Sequence, residues 1–289
     1  MPTVPQVTRL SLKNILFPTD FSSASSAALP FAQALARTYG STILLAHAIA
    51  SVPHRNVVTD QDDFVWHESR QKLSELAHAE SFGDTPVKTL LDQGDLNEVI
   101  PAIIRDHDID MVVLGTHGRR GVSKLVLGSD AEKIYRSASC PVLTIGPNVH
   151  PTEPWSLVRI LCPVDVAEDP ELVLHYALSL AEENQAQCIV LQAIPLVPWQ
   201  HRPDVEERSR RALESLMPAE AENWRTPEFL IRWEYPVEAI VRTSCERETD
   251  LIVMTVHKSR VSALATHLPW PVASEVVSRA PCPVLTVRV

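Results

Sequence analysis

Glycine is scarce in this chain, with eight among 289 residues. Two common nucleotide signatures are missing: the Gly-x-x-x-x-Gly-Lys-Ser/Thr phosphate loop and the Gly-x-Gly-x-x-Gly dinucleotide fingerprint. No apolar run approaches the ~20 residues of a membrane span. The opening Met1-Pro2-Thr3-Val4-Pro5 lacks the charged-then-apolar pattern of a secretion signal. Positive charge is in deficit: the net charge of −10 argues against non-specific binding to nucleic acid or an anionic membrane, because either needs a basic face. Five cysteines are dispersed at 140, 162, 188, 245 and 282, with no Cys-x-x-Cys. An odd, unpaired set fits reduced thiols in a cytoplasm better than a disulfide framework. The eleven histidines form no His-x3-His helix pair, so the spacing suggests no metal site.

Hydrophobic residues make up 45%, enough for ordinary globular packing. At roughly 100–200 residues per domain, the length suggests two domains. Twenty-three prolines fall largely between apolar runs.

The chain is organised around Gly115-Thr116-His117-Gly118, followed by Gly128-Ser129. It follows Asp110 and the apolar run Met111-Val112-Val113-Leu114, which has the uninterrupted pattern of a buried parallel strand. Ser129 and Asp130 then open a stretch with the signals of a helix start. The order is strand, glycine-bearing loop, helix N-terminus. Such a junction can cradle phosphates, since glycine lets the backbone approach and free N–H groups with the helix dipole favour anions. Residues 117–136 hold Arg119, Arg120, Lys124, Lys133 and Arg136 against Asp130 and Glu132, five against two, a local +3 in an acidic chain. The plain alternative is that these glycines only allow a tight connection.

The same reading places strands at 13–20, 42–49, 86–91, 111–114 and 140–145. Between them lie a helix capped by Ser22 or Ser23, stopped by Gly40 and carrying Pro30 inside. A charged helix over 62–81 and a helix from the capping-box pair Asp95 and Glu98 follow. Residues 51–59 read as loop. The alternation predicts a parallel sheet with helices on both faces. Residues 147–156, with three prolines, read as a linker, and the pattern then repeats. Arg159-Ile-Leu-Cys-Pro-Val-Asp165 matches Asn14-Ile-Leu-Phe-Pro-Thr-Asp20 at an offset of 145. Asp250-Leu-Ile-Val-Met254 matches Asp110-Met-Val-Val-Leu114 at 140, and Cys282-Pro-Val-Leu-Thr-Val287 matches Cys140-Pro-Val-Leu-Thr-Ile145 at 142. A repeat of that length is a duplicated domain, not a solenoid unit. The expected domains are 1–148 and 155–289.

Once per half, these motifs resemble the universal stress protein family. The carriers are Ile15-Leu-Phe-Pro-Thr-Asp20, Leu44-Leu-Ala-His47, the run from Asp110 to Gly118, Gly128-Ser129 and Cys140-Pro-Val-Leu-Thr144. The resemblance implies an α/β fold, two tandem doubly wound domains of the adenine nucleotide alpha hydrolase-like type, each with a five-stranded parallel sheet. It further implies ATP binding where the glycine motif is whole. Pro18 would then line the base pocket, Asp20 would hold the ribose or base, and the backbone of Ala48 would contact the ligand. Gly115, Gly118, Gly128, Ser129 and Asp130 would offer N–H groups to the phosphates. An acid at position 130 fits there through its N–H or through Mg²⁺. Taken alone, Asp20 reads as a helix cap.

The second half departs from the motif. Gly115 corresponds to Thr255, Gly118 to Lys258 and Gly128 to Trp270, which lies between Pro269 and Pro271. Proline removes N–H donors and tryptophan fills space, so this half reads as degenerate, with Asp165 a helix cap. Its last strand, 284–287, is expected to pair with 142–145 across a pseudo-two-fold, imitating a dimer within one chain. Three functional readings follow. The first is a cytoplasmic, non-enzymatic stress-response regulator that binds ATP in its first half and meets an unidentified protein partner. The second is a weak ATPase or nucleotidyl-transfer enzyme, for which His117 is the one general base near the phosphates. The third is a nucleotide-free interaction module.

Overall fold

The computed structural model describes residues 10–50, 60–116, 129–150, 154–166, 168, 170–195, 202–217, 225–256 and 269–288. The first half runs β1 (Asn14–Pro18), α1 (Ser23–Tyr39), β2 (Thr42–Ile49), α2 (Asp60–Ala77), β3 (Val87–Gln93), α3 (Leu96–Asp106), β4 (Met111–Gly115), α4 (Ser129–Ser137) and β5 (Val142–Ile145). The second repeats it as β6 (Arg159–Val164), α5 (Glu171–Asn184), β7 (Gln187–Ala193), α6 (Arg202–Ser215), β8 (Glu228–Arg232), α7 (Pro236–Arg247), β9 (Leu251–Val256), α8 (Pro269–Arg279) and β10 (Val284–Arg288). The loop expected at 51–59, and His117, Gly118, Gly128, His257 and Lys258, lie outside the described residues.

Among the described residues, ten strands form one sheet in the order β3-β2-β1-β4-β5-β10-β9-β6-β7-β8. Each half contributes five strands, and the described pairs within each half are parallel. The inner strands are largely apolar because both faces are covered, whereas the outermost strands, β3 and β8, carry charged and partly exposed residues. Ile15 and Phe17 face α1 on one side, while Leu16 faces α3 on the other. This two-sided winding matches the pattern read from the sequence. The two five-stranded halves join into one sheet through their last strands, the pairing expected from the sequence. β5 and β10 pair antiparallel, with Val142 opposite Thr286, Leu143 opposite Leu285 and Thr144 opposite Val284. Leu143 and Leu285 are each 1% exposed, so the junction is core and not rim.

Local signals explain most element ends. The Ser22 side chain accepts the Ser25 N–H to start α1, and Gly40 ends it at φ 67°, where a Cβ would be strained. Pro30 and Pro101 sit inside continuous helices. Asp95 caps α3 through the Asn97 N–H, one residue earlier than the expected capping-box geometry. Asp110 fixes the start of β1, because one of its carboxylate oxygens accepts the N–H groups of Lys13 and Asn14 at 2.7 and 2.9 Å. Asp250 does the same for Val158 and Arg159, both at 2.8 Å. The repeated acid before each β4-type strand is therefore a clamp between strands.

Side chains reinforce the junction. The Tyr39 hydroxyl and the Leu10 N–H both donate to the Glu183 carboxylate, at 2.9 and 2.6 Å. Phe31 meets Trp155 edge-on at 5.1 Å. Arg288 donates to the carbonyl of Ala138 at 2.6 Å, and Asn148 to that of Ser278 at 3.0 Å. Gly146 is obligatory here, since a Cβ would lie 2.1 Å from the carbonyl oxygen of Val277. Among the described residues, no helix is long and apolar enough to cross a membrane.

All five cysteines are free thiols. Burial pushes the thiols of Cys188 and Cys140 up to about 12. A raised folded value means the unfolded chain ionises first. The associated stability is complete below the ordinary thiol value and is lost as pH rises toward 12. Thermal melts should therefore show stability falling above about pH 9, by about 1.4 kcal/mol per pH unit for each such thiol. Cys188→Ala should flatten that slope by one thiol's share. An unchanged slope would overturn the assignment.

Candidate functional site

In an order of 3-2-1-4-5, connections leave β1 and β4 toward opposite faces, which opens a crevice at their carboxyl ends. A cavity of about 90 Å³ occupies that crevice. Pro18 ends β1 there, Ala46, His47 and Ala48 come from the end of β2, and Leu114 and Gly115 from the end of β4. One wall is the inward face of α3, with Leu96, Val99, Ile100 and Ile103, and Ala131 and Ile134 of α4 close the other side. The polar lining of the cavity is Thr19, Asp20, Ser25 and His47, of which Thr19 and Ser25 are buried and Asp20 is exposed. The result is an apolar slot with an exposed carboxylate at its edge, a shape suited to a flat ring carrying a polar substituent.

The rim loop is tightly determined. Thr19 donates its N–H to the Ala46 carbonyl at 2.8 Å and accepts from His47 Nδ1 on its own carbonyl at 2.7 Å. Its hydroxyl accepts the Phe21 N–H and meets the Ser25 hydroxyl, both at 3.0 Å. Asp20 lies two residues past the strand end and accepts the Ser22 N–H on Oδ1, a turn just ahead of α1, whose N-cap is Ser22 itself and not Asp20. Phe21 adopts φ 59°, a left-handed conformation that costs a non-glycine residue about 1–2 kcal/mol. The hydrogen bonds around it, the His47 ring at 4.6 Å and Lys72 Nζ 5.8 Å from its ring centroid hold it there. Between α3 and α4, Lys133 pairs with Asp95 at 3.7 Å. The Asn97 N–H foremost, and Lys133 after it, keep the Asp95 carboxyl below its usual range.

Pro18, Asp20, Ala48 and Gly115 thus converge on one cavity, while Ser129 and Asp130 open the helix whose next turns line it. Gly115 carries a second constraint: a Cβ on it would lie 2.0 Å from the carbonyl oxygen of Ala24 in the first turn of α1. Its glycine is explained by helix packing whether or not a ligand binds. The sequence reading missed His47, Thr19, Ser25 and the α3 wall as site residues. The spacing 96, 99, 100 and 103 is a helical face that could have signalled the wall. The Thr19–His47 contact has no sequence signal, because it joins neighbouring strands.

The second half keeps the frame and changes the side chains at the equivalent strand ends. Pro163 pairs with Leu191 where Pro18 pairs with Ala46. Leu191 is fully buried, and Met254 stands at the position of Leu114. Gln192 replaces His47 and accepts the Val166 N–H at 3.0 Å. Thr255 replaces Gly115, and α5 begins three residues later than α1 by the 145 offset. Pro269 and Pro271 occupy the first turn of α8, where an N–H donor would otherwise face a ligand. Among the described residues, no three His, Cys, Asp or Glu side chains gather as a metal-ligand set.

The family model described as the universal stress protein family matches residues 11–146 and again 158–288. A universal stress protein from Thermus aquaticus is 32% identical over 136 residues, covering 46% of this chain and 98% of its own. Universal stress protein A homolog 1 of Coxiella burnetii is 30% identical over 142 residues, again 46% of this chain and 95% of its own. Over nearly the whole length, the crystal structure of a universal stress protein from Archaeoglobus fulgidus superposes with a TM-score of 0.70 at 18% identity, covering 95% of this chain and 98% of that one.

Gly115→Ala should push α1 off β4 and destabilise the protein by about 3 kcal/mol, read as a lowered Tm. A variant as stable as the parent would show that the helix can retreat at no cost.

Proposed function

The chain belongs to the universal stress protein family, and from that premise we propose that its first half binds an adenine nucleotide, ATP with Mg²⁺, and that occupancy regulates a stress response. The observation that carries this reading is the apolar slot at the strand switch point, with a carboxylate at its rim and a helix N-terminus beside it. Buried Ala46, Ile100 and Leu114 offer flat apolar walls for a base. Asp20 can accept two ribose hydroxyls as donors, a role that suits a carboxylate better than contact with phosphate. The N-terminus of α4, with Ser129 and Asp130, and the basic residues around it favour the phosphates. Gly118 and Gly128 belong to the same reading through their backbone N–H groups.

On this reading the protein is a regulator and not a catalyst, placed in the cytoplasm on the strength of its five unpaired thiols. The second half is a non-binding copy, with the larger Leu191 in place of Ala46 and no glycine motif. Its service is to cover the apolar edge of β5.

Calorimetric titration of Mg²⁺-ATP into the full chain should give one site. Ala46→Leu, which installs the second half's residue in the first half's slot, should weaken that site at least about tenfold, the effect of overpacking by about 1.4 kcal/mol. Absence of binding to the parent chain would sink the proposal. Two sites would overturn the reading of the second half.

A further inference from the structure

We infer that His47 is a positioning residue for sugar recognition, holding the 19–22 loop so that Asp20 meets the ribose hydroxyls of a bound nucleotide. The inference rests on the nucleotide reading above and extends it to a side chain to which the sequence reading gave no ligand role.

Asp20 has a fixed residue on each side, and the His47 imidazole fixes both. On the N-terminal side, the Thr19 carbonyl can only accept, so His47 Nδ1 carries the hydrogen in their 2.7 Å contact. With the Thr19 N–H on the Ala46 carbonyl, both backbone groups of Thr19 are pinned to β2 after β1 itself has ended. On the C-terminal side, Phe21 holds its left-handed φ of 59°, and its ring lies 4.6 Å from the imidazole at a 39° tilt. One ring thus supplies a directed donor to Thr19 and a packing face to Phe21.

The loop between has no slack. It comprises residues 19–22, and the Thr19 hydroxyl spans it to both Phe21 N and the Ser25 hydroxyl. Asp20 Oδ1 is aligned by the Ser22 N–H. A strained loop persists only where its surroundings over-determine it. Without the imidazole, the pin on Thr19 and the seat of Phe21 fail together, and the carboxylate loses its fixed place at the rim.

The second half supplies an internal contrast. It retains the Pro-x-Asp of Pro163 and Asp165, yet carries Gln192 in place of the histidine. There the side chain accepts from Val166 instead of donating to the residue before the acid, and the connection to the next helix is longer. The histidine is present in the half whose strand ends line the cavity and is replaced in the other.

The test is the preference for ATP over 2′,3′-dideoxy-ATP, both with Mg²⁺, measured by calorimetry on the full chain. Hydrogen bonds from two hydroxyls to a carboxylate should give the parent a preference of roughly tenfold or more. His47→Phe keeps a ring against Phe21 and loses the donor. It should reduce that preference to about twofold while leaving dideoxy-ATP affinity within about twofold of the parent. His47→Asn keeps a donor near the Nδ1 position and should restore most of the preference. An undiminished preference in His47→Phe overturns the inference, as does an equal loss of both ligands. A preference lost alike in the Phe and Asn variants overturns the hydrogen-bond role. A parent chain that binds ATP and the dideoxy form equally, or binds neither, instead overturns the ribose reading of Asp20, on which this inference depends.

Discussion

The antiparallel pairing of β5 with β10 is the constraint from which the rest of the architecture follows. Five parallel strands wound on both faces leave one apolar edge with unpaired N–H and C=O groups, which is a template for association. Here each half closes the other's edge inside one chain, through Val142–Thr144 and Val284–Thr286. The geometry has a second effect. Because the junction is antiparallel, the carboxyl ends of the two halves' strands point in opposite directions. The first-half crevice and its second-half counterpart therefore lie at opposite margins of the shared sheet. The second half's strand ends cannot supply residues to the first-half slot, so that slot is built by one half alone.

Close backbone approach governs both the junction and the slot, which gives the scarce glycines a physical meaning. Gly146 lets the carbonyl of Val277 lie against the chain just past β5, and Gly115 lets the first turn of α1 rest on β4. The second approach sets the short 19–22 loop, since a helix seated that near the strand leaves little chain to reach it. A short loop in turn forces the left-handed turn at Phe21 and fixes where Asp20 stands. Where Thr255 replaces Gly115, the helix starts later.

Much of this was legible in the sequence, and what was not has identifiable causes. Buried parallel strands read as continuous apolar runs, so the strand of Met111–Leu114 and its copy at Leu251–Met254 stood out, as did the duplication. The partnering of the two last strands followed from their being the unmatched apolar edges. Strand ends were less clear: Thr19 and Asp20 continue the motif but leave the ladder after Pro18, because Thr19 is drawn toward β2 by Ala46 and His47. The carriers of the slot, Pro18, Asp20, Ala48 and Gly115, were visible because they sit in motifs. The α3 wall was not, and His47, though it sits in a motif, gave no sign of its role, since the relation of both to the slot is made by packing between elements distant in sequence. The dual meaning of Gly115 was also hidden. A glycine in a nucleotide-type loop and a glycine under a helix look alike until the helix is placed.

The divergence of the two halves is concentrated where a copy can change without disturbing the shared sheet. The clamps are retained: Asp110 and Asp250 each hold two strand N–H groups, and both Cys-Pro-Val-Leu-Thr strands lie at the junction. At the second slot, Leu191 for Ala46 adds buried apolar volume at about 0.8 kcal/mol per methylene where it can be accommodated, while Met254 for Leu114 conserves volume. The larger side chain there favours stability, whereas leaving the first slot open keeps apolar side chains apart that could otherwise pack. The strained Phe21 adds to that cost in the same half. A fold assembled for stability alone would have packed the first slot as well. The half that keeps a cavity, a left-handed aromatic and an imidazole braced against the same loop is the one whose structure is shaped by something besides packing.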